Sequence, residues 1–169
     1  MIYLDYNATT PIDSSVAEAM LPFLYGHFGN PSSAHAPGLA AKMAVERARA
    51  QVASLLHCSP GEVVFTSGGS ESNNMVLKGV SHTFREKGKH IITSQVEHPS
   101  ILKVCSYLQA LGYEVSYVPV DRFGMVDPSA IESLITEKTI LVSIMHSNNE
   151  VGTLQPIEAI GRICRGRDR

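Results

Sequence analysis

The chain has 169 residues, a length that suits one domain or part of a larger one. Hydrophobic residues make up 44% of it and charged residues 18%, which is the composition of a globular protein with a core and excludes a disordered tail. The formal net charge of −2, with histidines counted as neutral, predicts neither a nucleic acid nor an anionic membrane as partner.

Two further features concern the compartment. No apolar run approaches the ~18 residues that a membrane-spanning helix needs, and the start lacks the regions of a signal peptide, so we expect a cytoplasmic protein. Cys58, Cys105 and Cys164 form no CxxC pattern or Cys/His ligand set, and their odd number favours a reducing compartment. Cys105 and Cys164 fall in helical patterns as small core residues, and no cysteine is expected to act as a nucleophile.

The first 35 residues are rich in loop formers. Turn clusters at residues 5–11 and 29–33 flank a short helix that we predict at about residues 14–25. From Gly38 onward, apolar residues recur at helical spacing to about residue 56, which predicts a second helix.

Four predicted strands alternate with helices in the rest of the chain. The strands cover residues 62–66, 90–94, 113–118 and 139–145. The helices begin near residues 70, 100 and 127, and a last one covers about residues 156–164. This alternation predicts an α/β fold with a mostly parallel sheet flanked by helices.

Polar clusters follow three of these strands, at residues 67–70, 95–98 and 146–150. Because ligands bind at the carboxyl ends of the strands in such sheets, these clusters are the main functional signal. They come from well-separated segments, so a shared sheet edge would bring them together.

The first cluster, SGGSESNN at residues 67–74, follows a strand and opens a helix. Glycines let the backbone approach a ligand, the helix start presents unpaired N–H groups, and Ser70 adds a hydroxyl donor, so the pattern indicates a phosphate site. A plain turn with Ser70 or Ser72 as helix cap explains the same pattern equally well. The spacing fits neither a Walker A loop nor a GxGxxG dinucleotide loop.

His98 and Asn149 are the candidates in the other two clusters. An imidazole at position 98 can stack on a planar ring or move protons, but a surface histidine or a cap for the helix near Ser100 is an alternative that local pattern favours. Asn149 can donate to a ring oxygen or a substrate, or its amide can simply hold the loop. We interpret His146 as structural.

Five segments together resemble the cysteine desulfurases of the NifS/IscS type. They are YLDYNATTP (3–11), FGNPSS (28–33), FTSGGSESNN (65–74), EH (97–98) and SIMHSNNEVG (143–152), in matching order and spacing. Selenocysteine lyases are similar in the same stretches. The resemblance implies the large domain of the fold type I PLP-dependent transferases, incomplete in this chain, with residues 1–15 joining a small domain and residues 16–169 belonging to the large one.

The resemblance also implies roles. Gly69 and Ser70 would bind the phosphate of pyridoxal 5'-phosphate (PLP), His98 would stack on the pyridine ring and shuttle protons, and Asn149 would hydrogen-bond the ring oxygen. The family reaction removes sulfur from L-cysteine, giving alanine and an enzyme persulfide for sulfur transfer, as in iron–sulfur cluster assembly. A homodimer and a sulfur-acceptor protein are the implied partners, and the ATTP and GNPSS segments would lie near the active-site entrance or the dimer contact.

Several family parts have no counterpart in this sequence. They are the aspartate that pairs with the pyridine nitrogen, the lysine that holds PLP and the mobile catalytic cysteine, so we expect this polypeptide alone to be inactive. In the family fold the first strand lies apart from the next three, so we also expect the phosphate loop to be detached from the sheet that carries His98 and Asn149. Exposed sheet edges and apolar faces should then favour aggregation.

Three hypotheses follow. The first is that the chain is part of a PLP-dependent cysteine desulfurase or, alternatively, of a selenocysteine lyase. The second is a non-catalytic form that pairs with a full-length homologue. The third is an unrelated α/β phosphate-binding domain, which requires the agreement of five motifs to be coincidence.

Overall fold

The computed structural model describes residues 2–166. Their contacts divide into two compact units, with the division between Phe65 and Thr66. Among the helices of these residues, none combines the length and the apolar character that crossing a bilayer requires.

The first unit contains two α-helices, α1 (Ser14–Tyr25) and α2 (Ala36–Leu56), and a 3-10 helix at Pro60–Glu62. Helix α1 has the predicted bounds because Asp13 caps it, its carboxylate accepting the backbone N–H of Ser15 at 2.9 Å. Helix α2 begins after His35, whose Nδ1 accepts the N–H of Gly38 at 3.2 Å. Both helices confirm the predictions.

The GNPSS segment packs against the start of α2. A Cβ placed on Gly29 would lie 2.1 Å from the carbonyl oxygen of Pro37, and one on Gly38 would lie 2.4 Å from that of Ser33. Backbone approaches backbone here more closely than any side chain permits. The two glycines are therefore required by this contact.

The second unit is a three-layer α/β arrangement. Its elements in chain order are α3 (Gly69–Thr83), β1 (His90–Ser94), α4 (Pro99–Ala110), β2 (Glu114–Val118), α5 (Pro128–Leu134), β3 (Thr139–Ser143) and α6 (Ile157–Arg165). The strands pair in the order β2-β1-β3 and both pairings are parallel. The predicted α/β class with a parallel sheet flanked by helices is confirmed.

Neighbouring residues of the central strand β1 enter two different cores. Ile91 packs with residues of α3 and α4, whereas Ile92 packs with residues of α5 and α6, and both side chains are fully buried. Because successive side chains of a strand point to opposite faces, each face of the sheet carries one helix pair. This double cover explains why all five residues of β1 are buried.

The predicted strand at residues 62–66 is wrong. Glu62 ends the 3-10 helix, where Ser59 and Glu62 form a capping box, and Val63 is extended but pairs with no strand among the described residues. The Arg49 guanidinium donates to the carbonyl of Val63 and lies 5.1 Å from the centre of the Phe65 ring. The apolar pattern was correct for an extended segment, but a strand also needs a hydrogen-bonded neighbour.

Candidate functional site

A cleft of about 720 Å³ lies beyond the carboxyl ends of β1 and β3. Its walls are residues 96–99, 122–124 and 148–151, with Thr153. This is the sheet edge at which ligands bind in parallel α/β folds. Two of the three predicted polar clusters, those of His98 and Asn149, therefore meet in one cleft.

Glu97 joins the two loops that follow β1 and β3. Its carboxylate Oε1 accepts the hydroxyl of Ser94 at 2.9 Å and the backbone N–H of Met145 at 2.8 Å. The side chain is only 6% exposed. Burial raises the pKa of Glu97 above its ordinary value, and the hydrogen bonds from Met145 and Ser94 oppose part of this rise.

Asn148 makes the second connection between these loops. Its Nδ2 donates to the carbonyl of Val96 at 3.1 Å, and its Oδ1 accepts the N–H groups of Glu150 and Val151, each at 2.9 Å. Asn148 thus holds the loop in the way that the sequence allowed for Asn149, and Asn149 lies on the cleft wall. The signal in the sequence is an asparagine at the start of a tight turn.

Two polar side chains that the sequence analysis did not identify hold the wall formed by residues 122–124. Buried Gln155 accepts the N–H of Val126 at 2.9 Å and donates to the carbonyl of Gly124 at 2.7 Å. Thr153 donates its hydroxyl to the carbonyl of Phe123. No local pattern marks these residues, because their partners lie about 30 residues earlier in the chain.

His98 is the N-cap residue of α4. Its Nδ1 accepts the backbone N–H of Ser100 at 3.1 Å and lies 2.8 Å from the Ser100 hydroxyl. The helix-cap alternative is therefore confirmed. The cap does not exclude a ligand role, because His98 is exposed and lines the cleft.

The residues predicted to bind phosphate, Gly69 and Ser70, lie at the start of α3. Gly68 has φ +153° and ψ −180°, a backbone conformation that essentially only glycine adopts, and as N-cap it offers no side chain. The described residues provide no acceptor for the N–H groups of Gly69 and Ser70 in the first turn. Glu71 turns back to Ser67, accepting its N–H at 2.7 Å and its hydroxyl at 2.6 Å.

Gly69 and Ser70 do not line the cleft. Their helix α3 nevertheless packs against α4, whose N-cap residue His98 does line it. Asn73 of α3 donates to the hydroxyl of Ser100 in α4 at 2.7 Å, and buried Leu77 packs in the same core as Ile101. The expected detachment of the phosphate loop from the sheet is wrong. Helix α3 packs on α4 and β3 even though the preceding segment is not a strand.

Cys105 is buried in the core beneath this site, as predicted for a core cysteine. Burial, and then the nearby Glu97 carboxylate, raises the pKa of its thiol to about 11. The thiol is therefore protonated at neutral pH and is a poor nucleophile.

Residues 2–168 match the family model for class-V aminotransferases. The chain belongs to the class-V aminotransferase family. Its members, including the cysteine desulfurases, are PLP-dependent enzymes. An unrelated α/β phosphate-binding domain is thereby excluded.

Curated relatives of this class-V family member include cysteine desulfurases from bacteria and animals. The chain is 50% identical over 167 residues to the cysteine desulfurase IscS of Dictyoglomus turgidum, covering 99% of this chain and 42% of the relative. It is 49% identical to the human cysteine desulfurase, covering 98% of this chain and 36% of that one. The chain therefore spans less than half the length of these relatives.

Solved structures agree with the fold. A NifS-like protein superimposes with a TM-score of 0.95 at 46% identity, covering 99% of this class-V chain and 46% of the other. SspA in complex with cysteine superimposes with a TM-score of 0.94 at 40% identity, covering 98% and 48%. These neighbours place the second unit in the PLP-dependent fold type I.

Proposed function

We propose that this chain is the part of a PLP-dependent cysteine desulfurase that binds the phosphate and the ring of the coenzyme. The observation that carries the proposal is the meeting of His98 and Asn149 in one cleft. The start of α3, whose Gly69 and Ser70 N–H groups have no acceptor in the described part of the chain, is joined to this region through the hydrogen bond from Asn73 to Ser100. The relatives described above are named cysteine desulfurases, which favours cysteine over selenocysteine as the substrate.

The start of α3 fits a phosphate group. The N–H groups of Gly69 and Ser70 and the positive end of the helix dipole favour an anion, and the Ser70 hydroxyl adds a donor. Glu71 places a carboxylate in the same turn. One of its oxygens, Oε2, accepts hydrogen bonds from both the N–H and the hydroxyl of Ser67. These hydrogen bonds lower the pKa of Glu71 and fix its carboxylate toward Ser67.

His98 and Asn149 fit a planar ring in the cleft. Cap formation uses Nδ1 of His98, so in the neutral imidazole the proton lies on Nε2, which can donate or pass on a proton. The Asn149 amide is suited to a ring oxygen because it donates without adding charge. When bound, PLP supplies an electron sink, while these side chains bind and orient it and His98 moves a proton.

The cleft does not contain every group that desulfurisation needs. Its lining within residues 2–166 includes neither a lysine nor a cysteine. We infer that this polypeptide alone neither binds PLP covalently nor removes sulfur from cysteine. Both groups would come from other residues of a longer protein, as they do in the family.

The other family properties are also part of the proposal. Residues 1–15 would join a small domain, and the complete enzyme would be a homodimer that passes its persulfide sulfur to an acceptor protein. The odd number of cysteines in the sequence supports a reducing, cytoplasmic location. Pairing of a non-catalytic form with a full-length homologue has no observation in its favour.

The test is a titration of the purified chain with PLP, followed by the coenzyme's absorbance and fluorescence. We expect saturable, phosphate-competed binding that weakens about two- to tenfold in Ser70→Ala, since one neutral hydrogen bond is lost. Ser133→Ala is the matched control, because that serine donates to the carbonyl of Ala130 in α5 and does not line the cleft. If both His98→Ala and Ser70→Ala bind PLP as strongly as the unsubstituted chain, the assignment of the site is contradicted.

A further inference from the structure

Three side chains form a hydrogen-bonded chain between α3 and α4. Asn73 Nδ2 lies 2.7 Å from Ser100 Oγ, and Ser100 Oγ lies 2.8 Å from His98 Nδ1. All three residues are near the starts of their helices. The chain runs from the helix of the proposed phosphate site to the histidine of the proposed ring site.

The donor and acceptor roles in this chain follow from chemistry. The Asn73 amide nitrogen can only donate, so the Ser100 oxygen accepts from it. The backbone N–H of Ser100 also donates to His98 Nδ1, so Nδ1 is an acceptor and the Ser100 hydroxyl proton points toward it. Nδ1 thus receives two hydrogen bonds, and the ring proton must lie on Nε2.

We propose that Ser100, oriented by Asn73, is a positioning residue that fixes the tautomer and the rotation of the His98 imidazole. The proposal rests on the function proposed above and extends it, because neither Ser100 nor Asn73 lines the cleft. The backbone N–H alone would give Nδ1 a single donor. The hydroxyl adds a second donor, and the Asn73 amide ties that hydroxyl to the helix that begins with Gly69 and Ser70.

This arrangement couples the two halves of the coenzyme site. Asn73 lies one turn after Gly69 on α3, and its contact with Ser100 spans 27 residues of sequence. A shift of α3 relative to α4 would break this contact and release the Ser100 hydroxyl. The position of the phosphate-binding turn and the direction of His98 Nε2–H are therefore linked.

The test is a two-bond proton–nitrogen correlation spectrum of the histidine rings in the full chain without PLP, at a pH where the rings are neutral. His98→Gln identifies the His98 signals among the seven histidines. We expect a single Nε2–H tautomer with a hydrogen-bonded Nδ1 in the unsubstituted protein. In Ser100→Ala the Nδ1 resonance should move downfield toward that of a free acceptor nitrogen, and Ser100→Thr should restore it.

Asn73→Ala should shift the same Nδ1 resonance in the same direction but by less, because the hydroxyl remains and loses only its orientation. Ser133→Ala should leave it unchanged. An Nδ1–H tautomer in the unsubstituted protein, or His98 resonances in Ser100→Ala that match those of Ser133→Ala, would overturn the proposal.

A parallel PLP titration separates this proposal from the proposed function. Ser100→Ala should weaken PLP binding about two- to tenfold, with Ser100→Thr close to the unsubstituted protein. If the unsubstituted chain fails to bind PLP, the proposed function fails, while the ring spectra still decide the role of Ser100.

Discussion

At the scale of single residues, the polar groups around the cleft each bind neighbouring backbone while also shaping the site. His98 caps α4 through Nδ1 and also lines the cleft. Glu97 and Asn148 tie together the loops after β1 and β3. Stability and function can therefore be separated by substitutions that keep one interaction and remove the other.

For His98, we expect the Ala and Asn variants to differ in the free energy of unfolding and to be similarly weakened in PLP binding. His98→Ala should lower the free energy of unfolding by about 0.5–2 kcal/mol because the helix cap is lost, whereas asparagine is a good N-cap and should restore most of it. Both variants should bind PLP more weakly. Urea unfolding and PLP titration measure the two effects, and normal PLP binding by His98→Asn would show that the ring does not contribute.

For Glu97, we expect a pH-dependent effect on stability. Its pKa is raised in the folded state, so its contribution to the free energy of unfolding is full below the ordinary glutamate pKa and is lost as the pH rises through the raised value. Glu97→Gln keeps an oxygen that can accept from Ser94 and Met145 but removes the charge. Its stability relative to the unsubstituted protein should therefore increase as the pH rises above the ordinary glutamate pKa, until Glu97 is ionised in the folded protein.

Urea unfolding at several pH values checks this prediction, with Glu97→Ala as the comparison. The alanine variant leaves the Met145 N–H without its acceptor, so it should lose about 1–3 kcal/mol across the range. A difference between Glu97→Gln and the unsubstituted protein that does not change with pH would argue against a raised pKa.

At the scale of elements, the backbone conformation at the start of α3 supports the phosphate site proposed for Gly69 and Ser70. Gly68 turns the chain through a conformation that other residues avoid, and the helix then begins without a side-chain cap. Among residues 2–166, no acceptor meets the N–H groups of Gly69 and Ser70, as the proposed phosphate site requires. Helix α3 is held in place by Leu77 in the core and by the hydrogen bond from Asn73 to Ser100.

Two glycines of this segment should respond oppositely to alanine. Gly68→Ala should cost about 1–3 kcal/mol and weaken PLP binding, because alanine cannot readily adopt φ +153°. Gly79→Ala, in the interior of α3, should stabilise by about 0.5–1 kcal/mol, since its methyl group would meet no described atom within 4 Å. Thermal unfolding compares them, and a neutral Gly68→Ala would mean that this turn is not constrained.

At the scale of the whole molecule, the two units differ in how they bury apolar surface. The second unit has a core on each face of its sheet, whereas α1 in the first unit has no buried residue. Leu24, Tyr25 and Phe28 are 63%, 79% and 81% exposed. An apolar surface of this kind favours association.

We therefore expect the isolated polypeptide to self-associate as its concentration rises. Sedimentation velocity over a range of concentrations measures this, and replacing Tyr25 and Phe28 with serine should reduce it, because both side chains are largely exposed and little core packing is lost. A monomer at all concentrations would contradict the expectation.

We also expect PLP followed by borohydride to leave no stoichiometric adduct on any one lysine of this polypeptide. The reason is the cleft lining, which offers no lysine amine in the region that the structure describes. Mass spectrometry after proteolysis measures this. One fully labelled lysine would show that the cleft reaches an amine that its lining does not predict.

The alternation of apolar runs and turn signals predicted the helices and the three strands of the second unit, because burial on two faces dictates that pattern. The polar residues after the strands likewise indicated His98 and Asn149 as candidate site residues. Local sequence could not show that residues 62–66 lack a strand partner, since pairing depends on distant residues.

Only the tertiary structure decided which polar groups support which. Asn73 meets Ser100 across 27 residues, Glu97 meets Met145 across 48 and Asn148 meets Val96 across 52. Periodicity reports which face of an element is buried, but it carries no information about which side chain another segment brings within hydrogen-bonding distance. The sequence by itself therefore determined the layers and the cleft residues that follow β1 and β3, and the fold determined the remaining cleft residues and how all of them are held.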